Sequence, residues 1–202
     1  MGLSSNAKNA QLDHLATIAT FCSIHNAIPS DAGTNEISGG SPAYARKAIG
    51  WDAASGGVMN KDATDPVFDV PAGTEAAFMG LWSALTAGVF YGFMPINGGD
   101  ISGVAVTDGT ADSATSRAHG LTDDDRVFLR AAHGEALPTG LDASTVYYVV
   151  SATTDTFQLS ATQGGAAIDI GAGEFHFQRV TIQTYTVQGT MTVDTASIDL
   201  NA

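Results

Sequence analysis

The chain has 202 residues, of which 44% are hydrophobic and only 14% charged, so it can bury a sizeable core and lacks the composition of a disordered protein. Its 21 acidic and 8 basic residues leave a net charge of −13, and Arg46 and Lys47 form the only adjacent basic pair. Because phosphate binding needs clustered Lys and Arg, this charge argues against nucleic acid and anionic membrane surfaces as partners. The 23 glycines are typical of a β-rich protein with tight turns.

The N-terminal part of the chain is predicted to form one helix followed by short strands. Apolar residues from Leu12 to Ala19 recur at helical spacing, and Ser4, Ser5 or Asn6 could cap the first turn. The predicted strands are Phe21 to His25, Tyr44 to Trp51 and Val67 to Val70, with a polar loop over Asp52 to Asn60.

A strongly apolar segment then predicts a β-hairpin. Its arms, Ala76 to Trp82 and Val89 to Met94, flank a short loop and are apolar at nearly every residue. This pattern implies burial on both faces, either inside a sandwich or against a neighbouring subunit. The aromatic residues of the hairpin would make it the largest single contributor to the core.

Composition changes after the stretch Asn97 to Asp100, and a second group of strands begins. Thr107 to Ala118 is small and polar, which is typical of a connector. The strands predicted beyond it have the spacing of a small all-β module: Arg126 to Arg130, Val146 to Val150, Thr156 to Leu159 and Glu174 to Val180.

The last stretch, Thr181 to Leu200, has the period-two pattern of a strand with one buried face. Tyr185, Val187 and Met191 lie on the apolar side, and Gly189 between them indicates a bulge or kink. We expect this strand to reach back and pair with the N-terminal half of the chain.

The sequence therefore predicts an all-β protein with two domains. Both ends of the chain, residues 1–103 and 180–202, would form a β-sandwich or jelly-roll-like base domain that carries the short N-terminal helix. Residues 104–179 would form an inserted small β domain.

No motif indicates catalysis, a metal ion or a cofactor. The five histidines lack the spacing of a zinc site, and Asp123 to Asp125 lacks the ligand pattern of an EF-hand, so we interpret it as a solvated turn. Thr107 to Thr110 fails as an aspartyl-phosphate motif, because Val106 stands where the nucleophile is required. Cys22 is the only cysteine and is interpreted as a small buried residue.

The chain shows no export or membrane signal. Residues 1–20 contain Lys8 and Asp13 and no continuous apolar block. The longest apolar run, Val89 to Met94, is too short to cross a bilayer. We expect a soluble protein made without a signal peptide.

Several segments resemble small structural proteins of tailed bacteriophages, many of which infect actinobacteria and are labelled tail fibre or minor tail proteins. GTNEISGGSPAYARKAIGW, residues 33–51, resembles a recurring motif of these proteins. LSSNAKNAQLDHLA, FCSIHNAIPSDAG and QGTMTVDTASIDLN are similar to the family's N-terminal helix, its first strand and turn, and its closing strand. The resemblance covers about the first hundred and the last twenty residues.

The segment between resembles a different module, found within many phage tail and fibre proteins. It carries LPTGL at Leu137 to Leu141, followed by VYYVV and DTFQLS. The usual short family members run directly from the hairpin to the closing strand, so this chain departs from them by carrying the module as an insertion. The resemblance implies no catalytic residues.

The resemblance implies a non-enzymatic virion structural protein, made in the host cytoplasm. It would be attached as a tail fibre or minor tail component with the inserted module projecting outward, or alternatively bind the capsid lattice as a decoration or head-fibre protein. Its partners would be other virion proteins, sister copies in a homotrimer or other homo-oligomer, and a host-surface receptor. The contrasting hypothesis, a glycan-cleaving depolymerase, needs two carboxylates in a cleft. The glutamates on which it depends are Glu36, Glu75, Glu135 and Glu174.

Two groups of residues are candidates for contacts. For Arg46 and Lys47 we favour a solvated strand face over docking. The candidate interface with the particle or with sister subunits contains Tyr44, Arg46, Trp51, Phe78, Trp82, Phe90 and Phe93, and the candidate outward loops contain Asp123, Asp124, Asp125, Pro138 and Asp142.

Overall fold

The computed structural model describes residues 2–96 and 101–201, which divide into two compact units. Met1–Met94 with Ile182–Ala202 form the first, the base unit, and Pro95–Thr181 form the second, the barrel unit. The predicted change of composition at Asn97 to Asp100 lies outside the described residues. Within the two described ranges, no helix has the length and hydrophobicity that crossing a bilayer requires.

The predicted N-terminal helix is confirmed as α1, Ser5–Ile18. Ser4 caps it, because its Oγ accepts a hydrogen bond from the N–H of Ala7 at 3.3 Å. Leu12 anchors the helix as its buried residue.

The base unit contains a four-stranded sheet. Its strands are β1 (Phe21–His25), β2 (Lys47–Ala48), β6 (Phe78–Trp82) and β7 (Phe90–Pro95). They lie in the order β2-β1-β6-β7. Strand β6 is buried at every residue, so burial on both faces is confirmed for this arm of the hairpin. Strand β7 is only partly buried within one chain.

Strand β2 is much shorter than the predicted strand Tyr44 to Trp51. Residues 40–43 lie in a turn, and the N–H of Tyr44 donates to the carbonyl of Gly39 at 2.8 Å across it. The predicted loop Asp52 to Asn60 is also wrong at its C-terminal end, because its last three residues form strand β3 (Val58–Asn60).

Three short antiparallel ladders join the C-terminal stretch to the N-terminal half, which confirms the predicted pairing. The stretch breaks into β14 (Gln183–Tyr185), β15 (Gly189–Thr192) and β16 (Ser197–Asp199). These strands pair respectively with β5 (Thr74–Ala76), β4 (Val67–Val70) and β3.

The breaks between the three ladders correct one detail of the predicted apolar face. Tyr185 and Met191 are buried as predicted, but Val187 is 73% exposed. Val187 lies in the bend between β14 and β15, where the alternation of a continuous strand is lost.

The barrel unit is a closed six-stranded barrel. Its strands are β8 (Ser102–Thr107), β9 (Ser113–Thr115), β10 (Arg126–Ala131), β11 (Val146–Val150), β12 (Thr156–Ser160) and β13 (Gly173–Arg179). They lie in the order β10-β11-β12-β9-β8-β13. Alternate side chains such as Val127, Leu129, Phe157 and Leu159 fill the core of the barrel. Two strands were missed, because β9 lies in the segment interpreted as a connector and β8 begins before the predicted insertion.

The described residues thus contain sixteen strands and one short helix. The predicted all-β class is confirmed.

Candidate interaction sites

A largely buried ion pair, with side chains 10% and 20% exposed, lies at the centre of the motif in residues 33–51. The guanidinium of Arg46 donates through Nε to Oε1 of Glu36 at 2.9 Å and through Nη2 to Oε2 at 2.7 Å. Tyr44 donates its hydroxyl to the same carboxylate at 3.3 Å and accepts the N–H of Ile24 at 2.8 Å. The Arg46 side chain is only 10% exposed, so its interpretation as part of a solvated strand face was wrong.

The same guanidinium holds the β6–β7 hairpin. Its carbon lies 3.4 Å from the centroid of the Trp82 ring, which is a cation–π contact. Its Nη1 donates to the carbonyl oxygens of Ala84 at 3.2 Å and Ala87 at 2.6 Å, in the loop between the two strands. We call Glu36, Tyr44, Arg46 and Trp82 the arginine clamp.

Gly33 packs closely against the Trp82 ring. It has a φ of +66°, and a Cβ at this position would lie 2.2 Å from Cζ2 of Trp82. Only glycine satisfies both the left-handed backbone and this close approach. The motif that begins at Gly33 therefore serves to pack the base unit internally.

Trp82 also takes part in a buried hydrogen-bond network with Ser23 and His25. Its indole N–H donates to Oγ of Ser23 at 2.8 Å, and Oγ of Ser23 lies 2.7 Å from Nε2 of His25. Nδ1 of His25 lies 2.8 Å from the carbonyl oxygen of Thr34. A carbonyl only accepts, so Nδ1 carries the proton and Nε2 accepts the Ser23 hydroxyl. Ser23 and His25 have no exposed surface, which makes this serine–histidine pair inaccessible to a substrate.

His25 makes the stability of the base unit depend on pH. Burial lowers the pKa of His25 below the 6.5 of an exposed histidine. Between these two pKa values the unfolded chain binds a proton that the folded chain does not. We therefore expect the free energy of unfolding to be greatest above pH 6.5. It should decrease as the pH is lowered from 6.5, by at most about 1.4 kcal/mol per pH unit.

Denaturant titrations between pH 7.5 and 5 would measure this slope in the wild type and in His25→Gln. The variant is expected to be less stable at neutral pH but to lose less stability on acidification. The exposed His14 offers a control, since His14→Gln should leave the slope unchanged. Equal slopes for wild type and His25→Gln would contradict the role assigned to His25.

The structure distributes the other candidate interface residues between the core and the surface of the base unit. Phe78 and Trp82 are buried, whereas Trp51, Phe90 and Phe93 are partly exposed. Trp51 donates its indole N–H to the carbonyl of Ala19 at 3.0 Å.

Sequence reasoning missed the most exposed apolar residues of the hairpin. Leu85, Val89 and Tyr91 are 50%, 57% and 37% exposed. Their position at and next to the hairpin loop is the signal that could have singled them out.

The candidate outward loops of the barrel unit are largely exposed, with one exception. Asp123, Asp124 and Asp142 are exposed, and Asp125 is partly exposed. Pro138 is buried, and a Cβ at Gly173 would lie 3.0 Å from its ring, so its side chain faces the protein.

The carboxylates of these loops accept hydrogen bonds from the protein itself. Oδ1 of Asp123 accepts the N–H of Ala152 at 2.8 Å, and Oδ2 of Asp125 accepts the N–H of Thr122 at 2.8 Å. Hydrogen bonds from Ser144 lower the pKa of Asp142. Over residues 2–96 and 101–201, no three His, Cys, Asp or Glu side chains converge as metal ligands.

The barrel unit also carries a shallow, open depression of about 350 Å³. Asp108 stands at this depression, and hydrogen bonds from the backbone and hydroxyl of Thr110 lower its pKa. The depression combines aliphatic surface, hydroxyl groups and one carboxylate. It is lined by Val106, Asp108, Ala111, Ser113 and Thr115.

The four glutamates on which the depolymerase hypothesis depends are divided between the two units. The Glu36 carboxylate is occupied by Arg46 and Tyr44. Oε1 of Glu174 lies 3.4 Å from Nδ1 of His133, whose side chain is 78% exposed. Glu36 and Glu75 belong to the base unit, and Glu135 and Glu174 to the barrel unit.

Comparison with known proteins relates the base-unit sequence to phage fibre proteins. Residues 2–100, just under half of the chain, match a family of this class. The match supports the prediction that the chain is a phage fibre protein. The family is described as "Podophage GP4 fiber I protein gp80". No curated protein and no solved structure matches the chain.

The matched range contains α1, β1 to β7 and the whole arginine clamp, and it ends before the first barrel strand. The likeness to actinobacteriophage proteins and the identity of the inserted module stay predictions.

Proposed function

We propose that the chain is a non-enzymatic bacteriophage virion structural protein, attached to the particle as a tail fibre or minor tail component. The observation that carries this proposal is the family match over residues 2–100, which falls almost entirely on the base unit. The base unit is accordingly the part that contacts other virion proteins. The protein is made in the host cytoplasm and functions in the virion.

The charged and polar side chains at the centre of the base unit bind one another, which supports a structural role rather than an enzymatic one. Arg46 and Glu36 neutralise each other, and the Ser23–His25 pair is enclosed together with Trp82. Each of these groups fixes one segment of the base unit against another. This chemistry is what a rigid attachment domain requires.

The barrel unit is the inserted module in this proposal, and it projects outward. A closed barrel leaves no unpaired strand edge, so its contacts with partners are made by loops and side chains. The exposed loops around Asp123 and Asp142 and the depression at Asp108 are the surfaces offered to a host-surface receptor. The chain assembles as a homotrimer or other homo-oligomer.

A second candidate is a capsid decoration or head-fibre protein that binds the capsid lattice. The two candidates differ in copy number, because a capsid lattice offers hundreds of equivalent sites and a tail only a few. Quantitative mass spectrometry of separated heads and tails from purified virions would distinguish them. The tail assignment predicts a few copies, all in the tail fraction. Hundreds of copies with the heads would overturn it in favour of the capsid, and absence from both would overturn the virion assignment.

A further inference from the structure

Strand β7 forms one edge of the base sheet in the part of the chain that the structure describes. An edge strand presents backbone N–H and C=O groups that can pair with another strand. Val89 and Tyr91 add exposed apolar surface at this edge, and Leu85 adds more in the adjoining loop. Soluble monomers rarely expose an apolar edge without a partner.

The charge distribution favours a second copy of the chain as this partner. Residues 76–99 contain no Asp, Glu, Lys, Arg or His, although the whole chain has a net charge of −13. Two copies of such an acidic protein repel each other over most of their surfaces. The uncharged hairpin is a surface at which they can meet without placing like charges together. It also lacks the lysines with which edge strands commonly block pairing.

We propose that β7 pairs antiparallel with β7 of a second copy of this chain. The contact is symmetric about a two-fold axis, because the same strand contributes on both sides. It joins two four-stranded sheets into one continuous sheet and covers Val89 and Tyr91 of both copies. The inference rests on the homo-oligomer of the proposed function and narrows it, because a two-fold contact builds a dimer or an assembly of such pairs and not a homotrimer.

Size-exclusion chromatography with light scattering, run on the full chain over a range of concentrations, tests the pairing. We expect a mass of two chains, or of an assembly built from such pairs, for the wild type. Val89→Lys and Tyr91→Lys should each raise the dissociation constant of the pair by about tenfold or more, because each places a charge in the apolar surface that both copies bury. Val187→Lys adds the same charge at an exposed apolar residue outside the hairpin and should have no effect.

Cysteine cross-linking provides a second measurement that does not depend on affinity. Burial raises the pKa of Cys22 to about 12, so the natural thiol stays unreactive under mild oxidation. Val89→Cys or Tyr91→Cys should form a disulfide between two copies, whereas Val187→Cys should not. Circular dichroism of each variant would verify that it is folded.

The outcomes separate the inference from the function on which it rests. A wild type that is monomeric at every concentration would overturn both the β7 pairing and the proposed homo-oligomer. An assembly that survives both lysine variants, with no cross-link at residue 89 or 91, would overturn the β7 pairing alone. Dissociation by the lysine variants together with a cross-link at either residue would support it.

Discussion

Replacement of Arg46 by alanine is expected to destabilise the base unit by about 3–5 kcal/mol, because it leaves the Glu36 carboxylate largely buried without its cation. The variant also loses the stacking on Trp82 and the two hydrogen bonds that hold the hairpin loop at Ala84 and Ala87. Denaturant unfolding followed by tryptophan fluorescence would measure the loss. The chain has two tryptophans, Trp51 and Trp82, and both belong to the base unit.

The adjacent residue provides a matched control. Lys47 is 34% exposed in its side chain and lies 3.9 Å from Asp69, a surface pair for which Lys47→Ala should cost less than about 1 kcal/mol. Arg46→Lys keeps the charge but loses the fork that binds both oxygens of Glu36, so its loss should fall between those of the two alanine variants. If Arg46→Ala cost no more than Lys47→Ala, the clamp would not be a stabilising element.

A double-mutant cycle would show that Arg46 and Glu36 act as a pair. Glu36→Gln removes the charge that Arg46 neutralises. The double variant Glu36→Gln with Arg46→Ala should therefore lose less stability than the sum of the losses in the two single variants. Additive losses would mean that Arg46 acts mainly through Trp82 and the hairpin loop.

Local patterns in the sequence predicted the elements whose signals lie within a few residues. The helix α1 and the strands Val67–Val70 and Val146–Val150 agree with their predicted positions because side-chain periodicity and flanking turns define them. The return of the C-terminal stretch to the N-terminal half could be predicted because one half-buried strand requires a partner.

Elements that depend on distant partners could not be predicted. Strand β3 lies in a polar segment and is defined by its pairing with β16, more than a hundred residues away. Strand β9 has three small residues and is a strand because β12 and β8 flank it. In both cases tertiary pairing overrides a weak local propensity.

The arginine clamp was missed for the same reason. Arg46 and Glu36 lie ten residues apart, and neither lies in a strand. The basic pair at Arg46 and Lys47 suggested a solvated surface, and only the folded chain brings Trp82 under the guanidinium. The prediction that this stretch contacts the particle or sister subunits stays a prediction, and within the base unit Glu36, Arg46 and Trp82 contact one another.

Site-specific labelling of intact virions tests most directly the claim that this chain is a virion component with its barrel unit facing outward. Ala143 lies in an exposed barrel loop beside Asp142, and Ala143→Cys would introduce an accessible thiol. Virions with the wild-type chain are the control, because Cys22 is buried and its raised pKa keeps it unreactive. Maleimide-linked gold viewed by electron microscopy would report the position of the barrel.

We expect gold on the tails of intact Ala143→Cys particles and none on wild-type particles. Labelling only after the particles are disrupted, with mass spectrometry showing the variant chain in the virion, would contradict the outward placement of the barrel unit. Absence of the chain from purified particles would contradict the structural role itself.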